Sequence, residues 1–248
     1  ANGNWVVSGN GYSVLQTVNS NPAFFVSPDE YINVKLKGSF TVNGNNDDDF
    51  IGFVFGYKNP TFPVLNNLDF YLFDWKRRNQ NGNGGAQAGF TLSKATNMNV
   101  NWAAAGTYAN QFWGHVANPG VFDVIATEYT PANGGNGYAW AFNTTYNFEL
   151  IYTATSIIIS IDNDTIFNES GCFEPGRFGF YNYSQENVRY SDFTYELKAD
   201  FDASEYQYCQ GDTSSFAVFR SVCTNNTGSI TNWNWDLGDG NTSTDSVV

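Results

Sequence analysis

Basic residues are scarce in this sequence. Its 248 residues include 11 lysines and arginines against 24 aspartates and glutamates, which gives a formal net charge of −13. A field of this sign repels a phosphate backbone, and the one basic cluster, residues 76–78, is too short to offset it. Nucleic acid is therefore not expected as a partner. An acidic surface with little lysine predicts an extracellular setting in which divalent cations supply positive charge.

Residues that catalysis commonly uses are scarce as well. A serine hydrolase would need His115, the single histidine, as its general base, and no Gly-x-Ser-x-Gly string occurs in the chain to supply its nucleophile. One histidine also leaves too few soft ligands for zinc. Glycosidases of lectin-like folds carry a Glu-x-Asp-x-x-Glu string, which is missing, and Asp69 and Asp74 point to opposite faces of a strand. The sequence predicts a non-enzymatic protein, with His115 on a surface loop.

Long apolar runs are absent. No segment approaches the roughly 18 uninterrupted apolar residues of a membrane span, so no membrane insertion is expected. The sequence begins at Ala1 without a signal peptide, as a mature or excised soluble fragment would.

Cysteine occurs only three times, at Cys172, Cys209 and Cys223. The last two enclose a short loop, and a disulfide between them would stabilise the fold by roughly 3 kcal/mol. Cys172, next to an apolar strand, is then expected to be a buried free thiol.

Helical periodicity is nearly absent, whereas runs with a period of two recur between turn residues. Residues 31–42 alternate apolar and polar side chains, as a strand with one wet face does. Further strands are predicted at residues 49–57, 69–75, 121–129, 147–161, 165–168 and 177–183, with a hairpin turn at 162–164. Many strands without intervening helices predict an all-β, antiparallel sandwich, with the Gly- and Asn-rich loops 79–85 and 131–137 on one rim.

The residue pattern changes after Leu197. The chain then has shorter apolar runs, a cysteine pair and the stretch WNWDLGDGNTS at residues 233–243. We expect two units, a sandwich over residues 1–197 and a separate module over residues 199–248. The second unit is too short for a complete seven-stranded sandwich of about 100 residues. A longer parent protein with further domains is therefore expected.

Four stretches together resemble the C-terminal lectin-like domain of thrombospondins. They are NWVVSGNGYSVLQTVNSNPAF at 4–24, GSFTVNGNNDDDFIGFVFGYKNP at 38–60, FDWKRRNQ at 73–80 and GRFGFYNYSQENVRYSDFTY at 176–195. The resemblance covers nearly all of residues 1–195. It implies a concanavalin-like jelly-roll sandwich, calcium binding and a role in adhesion or matrix contact rather than catalysis. The calcium-binding repeats that precede the domain in that family are missing here.

WDLGDGNTS at residues 235–243 resembles the start of a PKD domain, an Ig-like module of large secreted or surface-anchored microbial proteins. A lectin-like unit joined to such a module resembles the long surface adhesins of bacteria, including gliding bacteria. The partners implied are an extracellular surface, a matrix protein or a glycan. Two alternatives remain open: a carbohydrate-binding module, in which aromatic residues of the rim stack on sugar rings, and a glycoside hydrolase. Trp75, Trp102, Tyr108, Trp113 and Trp140 are the aromatics in question, although core packing is the commoner role for such residues.

Asp47, Asp48 and Asp49 form the sharpest candidate site, because three adjacent carboxylates stand directly before a strand that is apolar throughout. The carboxylates repel one another and have no basic neighbour in sequence. Calcium binds six to eight oxygens and would offset this repulsion, with Asp74 of the adjacent strand as a further ligand. In an extended segment Asp48 points away from the other two, so the triplet could hold one ion or two.

Overall fold

The computed structural model describes residues 3–62, 65–100, 108–129 and 138–198, together with four two-residue strands beyond Lys198. Its first thirteen strands are β1 (Trp5–Val7), β2 (Ser13–Gln16), β3 (Ala23–Tyr31), β4 (Val34–Val42), β5 (Phe50–Lys58), β6 (Leu68–Lys76), β7 (Gly89–Met98), β8 (Phe122–Tyr129), β9 (Thr145–Tyr152), β10 (Ser156–Ile161), β11 (Asp164–Ser170), β12 (Gly176–Tyr183) and β13 (Val188–Leu197). One helical turn, α1 (Ala109–Phe112), precedes β8. Within the described ranges, no helix is long and apolar enough to cross a membrane.

The strands form two antiparallel sheets. The seven-stranded sheet has the order β1-β2-β13-β4-β9-β10-β11, and the six-stranded sheet has the order β3-β12-β5-β6-β7-β8. This arrangement confirms the all-β antiparallel sandwich that the alternating pattern predicts.

Aromatic side chains fill the space between the sheets. Phe53 of β5 stacks on Phe73 of β6 with 4.7 Å between ring centroids and lies 4.9 Å from Phe148 of β9. A second apolar cluster covers the outer face of the six-stranded sheet, where Phe50, Leu72 and Tyr181 pack with Phe112 of α1. Since this sheet is buried on both faces, β5 has no polar alternation along its length.

Two strand predictions differ from the structure. Residues 147–161, predicted as one strand, are two strands joined by a turn in which the hydroxyl of Thr153 accepts hydrogen bonds from the backbone N–H groups of residues 155 and 156. Strands β1, β2, β7 and β13 and most of β3 were not predicted. The hairpin turn between β10 and β11 is confirmed, with Asp162 and Asn163 both in the left-handed conformation at φ of 49° and 71°.

Beyond Lys198, β14 (Asp202–Ala203) pairs with β15 (Phe216–Ala217), and β16 (Trp235–Asp236) pairs with β17 (Thr242–Ser243). The second pair lies at the two ends of the WDLGDGNTS stretch. The division into two units at residues 197 and 199 stays a prediction.

The expected cysteine pairing is wrong. Cys172 is disulfide-bonded, and it lies on an exposed loop between β11 and β12 rather than against an apolar strand. The other two cysteines of the chain, Cys209 and Cys223, lie outside the described residues. Because a sulfur forms a single disulfide, a bond to Cys172 leaves no partner for a Cys209–Cys223 bridge.

Candidate metal site

The three acids of the loop before β5 converge. Asp47, Asp48 and Asp49 each offer a carboxylate oxygen, and these oxygens all lie within 4.8 Å of one another. Asp47 adopts the left-handed conformation, with φ of 73°, so the triplet is not extended. The expectation that Asp48 points away from its neighbours therefore differs from the structure, which gathers all three acids at one place. We call these three residues the acidic loop.

Asp47 is held on one side by an amide and crowded on the other by acids. Asn19 donates through Nδ2 to its Oδ2 at 2.5 Å, and the backbone N–H of Asp48 donates to its Oδ1 at 3.0 Å. Burial, together with the neighbouring carboxylates of Asp49 and Asp48, raises the pKa of Asp47 to about 6. Loss of hydration and like charges both disfavour its ionised form when no cation is near.

Lys76 approaches the acidic loop from the neighbouring strand. Pairing of β5 with β6 sets Phe50 opposite Lys76, and the buried ammonium lies 2.6 Å from Asp49 Oδ1 and 3.5 Å from Asp48 Oδ1. It also donates to the Asp48 carbonyl at 2.8 Å, and it lies 5.2 Å from the ring centroid of Trp113. The carboxylates have no basic neighbour in sequence, but the sheet supplies one. The only sequence signal for this residue was the basic cluster that follows the apolar run of β6.

Further polar groups surround the loop. Gln80 donates through Nε2 to Asp48 Oδ1 at 2.8 Å, and the exposed Arg78 places Nε 3.7 Å from Asp48 Oδ2. The buried Gln185, in the turn between β12 and β13, accepts a hydrogen bond from the backbone N–H of Asp49. Three carboxylates thus face one buried ammonium and one exposed guanidinium, so the site keeps a negative charge when all three acids are ionised.

Asp74 lies elsewhere. It is on the same face of β6 as Lys76, two residues earlier, and its Oδ2 is 2.8 Å from Nε2 of His115. Burial raises the pKa of Asp74, while His115 opposes the rise. The structure does not bring Asp74 to the acidic loop, and His115 is a buried partner of this carboxylate rather than a surface residue.

The aromatics that could have stacked on sugars mostly fill the interior. Trp75, Tyr108 and Trp140 are buried, and Trp113 covers Lys76. Trp102 lies outside the described residues. The core role expected for most of these residues is therefore confirmed for three of them.

Among solved structures, carbohydrate binding module CBM66 from Bacillus subtilis superposes with a TM-score of 0.52 at 14% sequence identity, covering 78% of this chain and 91% of that one. A Bacillus subtilis protein with a galectin-like fold gives the same TM-score at 12% identity, covering 79% of this chain and 87% of that one. These likenesses show a lectin-like sandwich and nothing beyond the fold.

Curated relatives are thrombospondins. Thrombospondin-2 of Gallus gallus is 30% identical over 207 residues, which cover 79% of this chain and 16% of that protein. Thrombospondin-3 of Homo sapiens is 27% identical over 227 residues, which cover 84% of this chain and 22% of that protein. The chain thus spans less than a quarter of the length of these relatives. The family model of the thrombospondin C-terminal region matches residues 1–199, and the chain belongs to this family.

Proposed function

We propose that this chain is a non-enzymatic, calcium-stabilised adhesive module of a large secreted or cell-surface protein of the bacterial adhesin type. Its sandwich is the scaffold, and its rim loops contact an extracellular surface, a matrix protein or a glycan. The observation that carries the proposal is the convergence of three carboxylates at the start of β5 in a member of the thrombospondin C-terminal region family. The whole length of the thrombospondins is several times that of this chain, so their partners enter here only as a proposal.

The donor set of the acidic loop suits calcium. Its ligand atoms are carboxylate oxygens, which hard divalent cations prefer, and nitrogen and sulfur ligands are not part of the cluster. Asp47, Asp48 and Asp49 would hold the ion. Lys76 already occupies one side of Asp49, so the ion would rely mainly on Asp47 and Asp48.

Calcium would stabilise the fold by removing a local repulsion. The carboxylate oxygens of Asp47 and Asp49 lie within 4.8 Å of each other, and like charges at this distance repel unless a cation or a proton lies between them. The loop leads directly into β5, whose side chains are buried on both faces of the sheet. An ion that binds only the folded loop therefore stabilises the sandwich by mass action.

Thermal unfolding tests this proposal. We expect the melting temperature of the full chain to be higher in millimolar calcium than in excess chelator. In Asp48→Asn the difference in melting temperature between the two buffers should shrink or vanish, because Asp48, one of the two main ligands, loses its charge. Asp29→Asn is the matched control, since Asp29 is an exposed acid on β3 and its replacement changes the net charge equally. Equal melting temperatures of the wild type in the two buffers would contradict the proposal.

A carbohydrate-binding module is the second candidate, and a cleft favours it. This cleft, of about 490 Å³, has the aromatic residues Tyr138 and Tyr146 and the acidic residues Glu128 and Asp164 in its lining. Ring faces with nearby hydrogen-bonding groups are what a sugar requires. A glycan array tests this candidate, with Tyr138→Ala expected to lose any glycan that binds. Release of reducing sugar from such a glycan would contradict the non-enzymatic part of the proposal.

A further inference from the structure

The disulfide of Cys172 connects two parts of the chain that the sequence presents as separate. Cys172 lies in the loop between β11 and β12, within the sandwich. The chain has only two other cysteines, Cys209 and Cys223, and both follow the last strand of the sandwich. One of them must be the partner. A covalent bond therefore joins the sandwich to residues 199–248.

Hydrogen bonds place Cys172 at the end of the sandwich where the chain leaves it. The N–H of Lys198, the last described residue of the sandwich, donates to the Asn33 carbonyl at 2.7 Å. The side chain of Asn33 accepts from the N–H of Ala154 at 3.0 Å, and the Ala154 carbonyl accepts from the N–H of Phe173 at 2.9 Å. Phe173 directly follows Cys172. Two turns thus connect the disulfide to the exit of the chain.

An apolar surface lies beside this exit. Leu197 is 80% exposed and Tyr195 is 55% exposed, and both project from the same face of β13. The ring of Tyr195 contacts that of Tyr31 on β3, with 5.4 Å between centroids. Tyr31 in turn is paired with Gly176 of β12, four residues after Cys172. We call Tyr31, Tyr195 and Leu197 the exit surface.

We propose that residues 199–248 dock on the exit surface and are fixed there by a disulfide between Cys172 and one of the two later cysteines. The occupant follows from the covalent path. Cys209 comes 11 residues after Lys198 and Cys223 comes 25 residues after it, so the tethered segment can extend at most about 3.5 Å per residue from the exit. Its high effective concentration favours contact with the adjacent apolar side chains over contact with another molecule.

The acidic loop plays no part in this proposal, so the two proposals can fail separately. If this one is correct, the following module has a fixed orientation on the sandwich rather than a free one. Adhesive contacts at the opposite rim are then held at a defined angle to the rest of the parent protein.

Disulfide mapping is the first test. The full chain is treated with a thiol-blocking reagent without reduction, digested and analysed by mass spectrometry. We expect a peptide that contains Cys172 to be bridged to one that contains Cys209 or Cys223, with the remaining cysteine blocked. A Cys209–Cys223 bridge together with a blocked Cys172 overturns the proposal.

Hydroxyl-radical footprinting of the unreduced full chain is the second test. Phe62 is the matched control because its side chain is 81% exposed, like that of Leu197, and belongs to another part of the surface. Normalised to the denatured chain, labelling of Tyr195 and Leu197 should be several-fold slower than labelling of Phe62, at every protein concentration. Labelling of Tyr195 and Leu197 as fast as that of Phe62 overturns the docking. Protection that appears only at high protein concentration also overturns it, because a second copy of the chain would then bury these side chains.

Discussion

Strand β6 carries two buried acid–base contacts on one face, Lys76 with Asp49 and Asp74 with His115. At the first, Asp49 belongs to a loop that gathers two further carboxylates, and Asp47 and Asp48 are partly exposed. At the second, Asp74 is fully enclosed, and its Oδ1 has no hydrogen-bond partner among the described residues. The first pair thus lies beside two partly exposed carboxylates, whereas the second is enclosed.

The two bases also differ in what they can do. A lysine ammonium is charged throughout the physiological range, whereas an imidazole near a carboxylate can share or release its proton. Lys76 contacts Asp49 at 2.6 Å, whereas burial raises the pKa of Asp74 toward the neutral form. The contrast separates an electrostatic site, open to ions, from a structural contact that fastens the segment after α1 to the sheet.

Removing the lysine should have the largest effect. Lys76→Met keeps the apolar stem but leaves the buried Asp49 without its cation, so we expect a loss of about 3–5 kcal/mol in the free energy of unfolding. Urea unfolding measures it. Lys37→Met, which breaks an exposed ion pair with Glu196, is the control and should lose about 0–1 kcal/mol. Equal losses in the two variants would mean that the Lys76 contact is not a buried ion pair.

Removing the histidine should have a smaller effect. His115→Leu leaves Asp74 without a partner, and we expect a loss of about 2 kcal/mol at neutral pH. The variant should regain stability as the pH falls, because the raised pKa lets the folded state take up a proton before the unfolded state does. Adding Asp74→Leu should recover most of the loss, since no buried carboxylate remains. A double variant as unstable as the single one would contradict this account.

The loss of stability at alkaline pH gives a further test of the surroundings of Lys76. Tyr183 stacks on Phe50 beside Lys76, and burial raises its pKa to about 12 from the usual 10.0. Above pH 10 the unfolded chain loses this proton while the folded chain keeps it, so stability falls between pH 10 and pH 12. Melting temperatures across this range should fall less steeply in Tyr183→Phe than in the wild type. Identical slopes would show that Tyr183 is not a source of the alkaline loss.

The smallest effect is expected beside Asp74. The buried hydroxyl of Tyr181 has no hydrogen-bond partner among the described residues, and the nearby Asp74 carboxylate contributes to the raised pKa of this tyrosine. Tyr181→Phe removes an unsatisfied group and keeps the ring, so the free energy of unfolding should stay unchanged or rise by up to about 1 kcal/mol. Urea unfolding of the variant and the wild type measures this change. A loss above about 1 kcal/mol would mean that the hydroxyl is hydrogen-bonded in solution.

The sequence predicted the strands β4 to β6 and β8 to β12, because a period of two and doubly apolar runs are visible in the chain itself. Strand β7 carries Thr91, Ser93 and Lys94 among its apolar residues and gave no such pattern, although the sheet buries the first two. The turn at residues 153–155 was missed because β9 and β10, on either side of it, are both rich in apolar residues. Together they resemble one continuous strand in the sequence.

The acidic loop itself could be predicted, but its surroundings could not. Three acids in a row are a local signal, whereas Lys76 reaches them only through the register of β5 on β6. Asp74 was expected beside the acidic loop because it lies on the strand adjacent to β5. It contacts His115 instead, since residues two apart on one strand share a face but need not share a contact. His115 carried no signal at all, because its burial depends on how the segment after α1 folds back over the sheet.

The positions of β12 and β13 have a consequence for how the protein acquires its structure. The last two strands of the sandwich are inserted into the middle of the sheets, β12 between β3 and β5, and β13 between β2 and β4. The six-stranded sheet cannot close until the chain is complete to Tyr183, and the seven-stranded sheet cannot close until it is complete to Leu197. All the pairings of β3 with β12 and of β4 with β13 span more than a hundred residues. Such distant pairings make for slow, late and cooperative folding. A chain emerging from a ribosome or a secretion channel would remain without a finished sheet until nearly all of its first 197 residues were free.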